Sequence, residues 1–220
     1  MPRHVRRNLL LGVGLALGAA VIALGRDDDR VAADLGRRDL GPAPAALAVS
    51  LADVKSQLRI DGAAHDATLT AYIDAATRVA EHETGRRFIT QTWEAVFDAF
   101  PCGAAVELGL PPVQSIVSVK YLDAAGTEQT LSGAAYVLDA DQLPGYVLPA
   151  ADADWPSTAD SVNAVRVRFL VGYGADATAV PANARVWITL AVAQLFGGCG
   201  ADALDAMRSN PLLDDLRVYR

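Results

Sequence analysis

The side chains able to do chemistry in this chain are few and scattered. Its three histidines, His4, His65 and His82, sit in no H-x-x-x-H, H-E-x-x-H or Cys/His spacing, so none is set up to share a metal ion. His82 stands between Glu81 and Glu83; sequence neighbours diverge on a helix, and a solvated polar face is expected there. The two cysteines, Cys102 and Cys199, are too few and too far apart for a disulfide framework or a zinc site, and read as ordinary buried or half-buried thiols. Gly172-Tyr173-Gly174 is a lone G-x-G that lacks the third glycine of a dinucleotide loop, and reads as a sharp exit from a strand. The carboxylates at 27–29, at 214–215, and at Asp152 and Asp154 lack the alternating oxygen ligands and central glycine of a calcium loop. No G-x-S-x-G elbow or Walker loop occurs. The expectation is no catalytic residue, no metal and no cofactor; an enzyme reading has nothing positive behind it.

At 220 residues, with 52% hydrophobic and 20% charged residues, the chain has material for one well-cored domain, with or without an appendage. Its net charge of -7 is unevenly spread. Seven basic and five acidic residues lie at or before Ser50, leaving twelve basic and twenty-one acidic residues beyond it. Gripping DNA requires clustered Lys and Arg, so an acidic body of this kind is suited at most to let DNA slide past.

Residues 1–25 form a separate problem. Arg3, Arg6 and Arg7 precede an uncharged apolar run from Leu9 to Gly25, which Arg26-Asp-Asp-Asp-Arg30 ends. Seventeen residues is the short limit for a membrane span and long for a signal-peptide core. Glycines at 12, 14, 18 and 25 weaken it as a helix, and Gly14 and Gly18 make a weak G-x-x-x-G. Three readings fit: a membrane anchor or signal, an apolar arm packing on a neighbouring subunit, or a start codon assigned too far upstream. Residues 31–48, rich in Ala, Gly and Pro, read as a linker.

The elements that must position any site follow from Ser50. Ser50 is a good N-cap, with Asp53 as an acidic capping-box variant, and Leu51, Val54 and Leu58 form a stripe that Asp61-Gly62 breaks. A second helix is expected from Asp66 as N-cap, with Leu69, Ile73, Ala76 and Ala80 on one face and Gly85 as C-cap. Arg86 and Arg87 then lie where the helix dipole favours cations, as solvated end caps or as partner contacts.

From Ile89 the period changes to two. Trp93, Ala95 and Phe97 face one way, with Thr92, Glu94 and Asp98 opposite. Further strands are expected near 104–109, 114–122, 127–131, 135–138, 145–148 and 163–172. In the last of these Val165, Val167, Phe169 and Val171 oppose Arg166, Arg168 and Leu170. Pro111-Pro112 belongs in a connection or at an edge; Asp123–Gly126 and Leu143-Pro-Gly145 mark turns. Pro181 suits a helix start, and Ala184, Trp187, Ile188, Ala191 and Leu195 make an apolar face that Gly197-Gly198 ends. A short helix is expected over 201–208. The tail, PLLDDLRVYR, is expected to present its apolar side chains outward.

The fold class is therefore α+β: a small helical bundle frame, two N-terminal helices plus a C-terminal one, with an inserted antiparallel β region over about 89–172. An apolar N-terminal extension and linker cover 1–48, and the domain proper runs 49–220 with a tail at 211–220.

The stretches VSLADVKSQLRID, HETGRRFITQTWE, LPPVQSIVSVKYLDAAGTEQTL, NAVRVRFLVGYG and VPANARVWITLAVAQLF, in that order over 48 to about 198, resemble phage head–tail connector proteins. The likeness is to the longer, β-containing adaptors of tailed phages, prophages and gene-transfer particles. The apolar N-terminus departs from that pattern, and 199–210 match it weakly. The resemblance implies a structural virion protein at the neck, assembled in the host cytoplasm. It implies a homo-oligomeric ring, usually a dodecamer, beneath the portal protein, joined on the other side to a tail terminator or stopper/neck protein. DNA would pass through the lumen without specific binding. It also implies a portal contact by the tail, through Leu212, Leu213, Leu216, Val218 and Tyr219; Arg86, Arg87, Arg166 and Arg168 are candidate inter-subunit contacts. The alternative reading, motivated by residues 1–25, is a membrane-anchored envelope binding module with a soluble α+β domain.

Overall fold

The computed structural model describes residues 37–39, 44, 46–101, 105–198, 207 and 210–218. The chain divides into two units, Met1–Arg38 and Asp39–Arg220, with a short strand β1 (Arg37–Asp39) at the boundary. The apolar N-terminal extension and its three readings lie outside the described residues, as do Cys102, Cys199, Tyr219 and nearly all of the helix expected over 201–208. Among the described residues no helix is long and apolar enough to cross a membrane.

Helix α1 (Leu51–Leu58) opens as its sequence requires: the Ser50 hydroxyl accepts the Asp53 N–H at 3.0 Å. It closes earlier than Asp61-Gly62, because Arg59 itself turns left-handed (φ 56°) and its N–H caps the last carbonyls. Helix α2 (Asp66–Thr84) has His65, not Asp66, at its N-cap, and no side chain caps it there. Asp66 is instead the first helical residue, and its carboxylate takes the Lys55 ammonium at 2.6 Å, tying α1 to the start of α2. Leu69, Ile73, Ala76 and Ala80 form the buried stripe that their spacing implies, and Gly85 ends the helix at φ 69°. Helix α3 (Ala182–Phe196) starts after Pro181 and ends at Gly197-Gly198.

These helices share one core with residues 46–49, Phe88, Ile89, Met207 and the C-terminal 3₁₀ helix Pro211–Leu216. Trp187 sits fully buried in it, and its indole N–H donates to the Met207 carbonyl at 2.9 Å. A buried Trp needs such a partner, and here it anchors Met207, well beyond the end of α3.

The second core belongs to the strands. β2 (Gln91–Phe97), β8 (Val165–Val171), β4 (Val113–Leu122) and β5 (Glu128–Leu131) lie side by side in that order, all antiparallel. A smaller antiparallel sheet runs β3 (Val106–Glu107), β7 (Tyr146–Pro149), β6 (Tyr136–Asp139). Strand β8 is central because its alternation is cleanest. Val165, Val167, Phe169 and Val171 are buried, with Phe169 registered between Trp93 on β2 and Ile116 on β4. Two irregularities in β4, at Val113/Ser115 and Ile116/Ser118, let it bend along β8. The turn at Asp123–Gly126 forms as expected: the Asp123 carboxylate accepts the Ala125 and Thr127 N–H groups, and Gly126 takes φ 79°.

Candidate assembly contacts and the helix–sheet junction

The chain crosses between helical body and sheet over 85–91 and again over 171–174. Phe88 and Ile89 run beside Tyr173 and Gly174: the Tyr173 N–H donates to Phe88 O at 2.9 Å, and the Thr90 N–H to Gly174 O at 2.8 Å. This close approach explains the G-x-G. Gly172 has φ 116°, and a Cβ there would lie 2.6 Å from the Ile89 carbonyl; a Cβ on Gly174 would lie 2.4 Å from Ala179 Cβ. Only glycine fits either place.

Arg86 is not an exposed end cap. It is 9% exposed; its Nε donates to the Leu216 carbonyl at 2.6 Å, and one Nη donates to the Tyr173 hydroxyl at 3.1 Å. Its guanidinium is engaged within the chain, which corrects the reading of Arg86 as a solvated end cap. Arg87 is also turned inward: one Nη donates to Arg86 O and stands 3.8 Å from Glu81 Oε2, and its guanidinium carbon lies 4.8 Å from the Trp93 ring centroid. Arg166 and Arg168 fall differently. They are half-exposed on the open face of β8, with Arg168 Nε donating to Glu94 Oε1 at 2.8 Å and Arg166 standing 3.7 Å from Glu128.

The expected outward tail is corrected as well. Leu213 and Leu216 are buried in the helical core, Leu212 packs partly against it, and Val218 is half-buried with its N–H donating to Thr84 O at 3.0 Å. Asn210 caps the 3₁₀ helix by accepting the Leu212 N–H, and Pro211 suits its first turn. Leu213 and Leu216 are therefore core residues, and of the described residues expected to point outward, Leu212 and Val218 keep an outer side exposed.

Sequence reading missed Glu81, taken there as part of a solvated face. It lines a cavity of about 410 Å³ with Thr77, Arg78, His82, Arg87 and Trp93. Its Oε1 accepts the Phe88 N–H at 2.8 Å. Burial pushes its carboxyl pKa up, outweighing that hydrogen bond and the Arg87 charge. The signal was out of reach because Glu81 is covered by residues that fold back after Gly85. Among the described residues, no group of three or more His, Cys, Asp or Glu side chains is placed to hold a metal.

Residues 48–133 match the family described as phage gp6-like head–tail connector protein. No curated protein matches the chain. Solved structures do. A chain in the neck of an empty gene transfer agent particle, computed with C6 symmetry, aligns with TM-score 0.68 at 24% identity, covering 84% of this chain and 96% of that one. A chain in the virion of a native gene transfer agent particle gives TM-score 0.65 at 24% identity and the same coverage. A chain in the neck of a native particle, computed with C12 symmetry, gives 0.65 at 23% identity, again over 84% and 96%. At these identities the likeness is one of fold, and it spans both the helical body and the sheets. Residues 48–133, which hold α1, α2 and the strands β2 to β5, are thus similar to the phage gp6-like head–tail connector family, and the likeness to the neck structures extends the shared fold beyond them.

Proposed function

We propose that this chain is a structural subunit of a head–tail connector, standing at the neck of a phage-like or gene-transfer particle and joining the DNA-filled head to the tail. The observation that carries the reading is the fold match over 96% of a chain taken from a particle neck, together with the connector family match of residues 48–133. The action is assembly rather than turnover. Copies close a ring, proposed as a dodecamer, between the portal protein on one side and a tail terminator or stopper/neck protein on the other. An acidic body suits a lumen that DNA must traverse: repulsion between carboxylates and phosphates disfavours sticking.

Arg166 and Arg168 are kept as proposed contacts to neighbours, on the grounds of their half-exposure. The portal contact is proposed for the surface of the tail, through Leu212, Val218 and Tyr219, with Leu213 and Leu216 holding the tail in place from inside. Replacing Leu212 and Val218 by Asp should weaken portal binding in a pull-down with little change in thermal stability; undiminished binding would sink that assignment. The role itself is tested by deleting the gene in a particle-producing strain. The expected yield is DNA-filled heads that lack tails by electron microscopy, with tails restored by the gene in trans. Intact tailed particles from the deletion strain would overturn the proposal.

A further inference from the structure

Helix α3 carries apolar residues on its outer face as well as its inner one, with Asn183, Thr189 and Gln194 as its uncharged polar residues. Of its fifteen residues only Arg185 is charged, whereas a helix on the surface of a finished structure keeps a polar outer face. Ala184, Trp187, Ile188, Ala191 and Val192 fill the core. The opposite side is left bare: Val186 is 49% exposed and Leu190 41%. At helical spacing, Ala182 and Ala193 extend that pair into a stripe along the helix, edged by Asn183 and the exposed Gln194. Arg185 meets the stripe at its N-terminal end, three residues on from Ala182. Its Nε is sealed from solvent and is the one buried side-chain nitrogen or oxygen among the described residues with no hydrogen-bond partner. No carboxylate among the described residues pairs with it. A sealed, unpartnered guanidinium nitrogen is costly, because burial removes its water and nothing replaces it. The stripe lacks an apolar cover, and the arginine beside it lacks an acceptor.

We infer that the outer face of α3 is a subunit contact, covered by a second copy of this chain that lays apolar surface over Val186 and Leu190 and brings a carboxylate to the terminal nitrogens of the Arg185 guanidinium. Two observations select a second copy as the occupant. Beyond Ser50 the chain carries twenty-one acidic against twelve basic residues, so a neighbouring copy presents mainly acceptors for a cation. The necks that share this fold have C6 and C12 symmetry, and a rotational ring of more than two copies closes through contacts between two different patches. The α3 stripe supplies one patch; the carboxylate-bearing surface of the next copy supplies the other. This inference rests on the connector reading for its ring geometry, though not for the exposed stripe or the unpartnered nitrogen.

The test places a photocrosslinking residue at position 190 in the full chain, expressed alone and in purified particles. The expected product is a crosslink to a second copy, identified by mass spectrometry with the captured peptide containing Asp or Glu. In parallel, Val186→Glu with Leu190→Glu should raise the protein concentration needed for half-assembly by about tenfold or more in sedimentation velocity. The circular dichroism melt should stay in place, because both side chains are exposed. A crosslink only to a different polypeptide, no crosslink in either setting, or unimpaired assembly of the double variant each overturns the inference. Particles that lack the chain altogether sink the connector reading alone, since the crosslink from the chain expressed by itself still decides what faces α3.

Discussion

Arg86 ties three distant parts of the chain together: the end of α2, the exit of β8 at Tyr173 and the carbonyl of Leu216, 130 residues away. Replacing it by Ala leaves a buried carbonyl without a donor and removes the packing of the stem. A loss of about 1–3 kcal/mol is expected in urea unfolding, with hydrogen exchange accelerated over 211–218 before the rest of the body. Unchanged protection there would show that the guanidinium does not hold the tail. Glu81 makes the second prediction. Its pKa is raised by burial, so the folded state binds its proton more tightly than the unfolded chain does. The stability it contributes is present below the ordinary glutamate value of 4.5 and is lost as pH rises through the raised one. Asp123, Glu128 and Asp176 are shifted down, Asp123 and Asp176 by their hydrogen bonds and Glu128 by Lys120, and act with the opposite sign at lower pH. The difference between wild type and Glu81→Gln isolates the first effect: the variant gains on wild type as pH climbs above about 4.5, and a difference flat with pH would refute it. Arg86, Arg87 and Glu81 all read as surface residues in one dimension, because the atoms that bury them come from Leu216, Tyr173, Trp93 and Phe88.

Elements were far more legible. The stripe of α2, the alternation of β8 and the turn at Asp123–Gly126 follow from local period and turn chemistry, which do not depend on the partner found. The C-terminal segment misled for the same reason: Leu212, Leu213, Leu216 and Val218 look like a sticky tail until a core is seen to receive two of them. Removing 211–220 is therefore expected to destabilise the domain, since it uncovers the helical core and strips Arg86 of its acceptor. A lowered melting temperature is the readout, and an unchanged melt would contradict the docked tail. Trp187→Ala should cost about 3–5 kcal/mol through the cavity it leaves, and Met207 O would keep only the Asn210 N–H as donor. Gly172→Ala should cost more than about 2 kcal/mol, because its Cβ meets the Ile89 backbone, which cannot swing aside as a side chain can. If Gly172→Ala unfolds at the same urea concentration as wild type, the close crossing of 88–90 and 172–174 is not tight.

The whole subunit joins a helical core to a strand core through that crossing, and its charge belongs to neither alone. If the lumen is to pass DNA, the purified chain should bind duplex weakly. No mobility shift is expected even at about 100 μM protein and physiological salt, where ordinary non-specific binders, with Kd of about 10⁻⁴ to 10⁻⁶ M, are half bound or more. A robust, salt-sensitive shift would mean that basic groups are gathered on one face, against the acidic balance of the body.

Local pattern was enough for the order of helices and strands, the buried faces of α2 and β8, the caps at Ser50 and Gly85, and a resemblance to connector proteins carried by those same segments. These are properties of neighbours a few residues apart. The tertiary structure alone decided which of the conspicuous side chains face outward. It drew Arg86, Leu213 and Leu216 inside, set Glu81 half-buried beside Arg87, and left Val186 and Leu190 bare on a helix whose Arg185 Nε has no partner. Burial is set by what the rest of the chain brings to a position, and no spacing within a single helix or tail can report that.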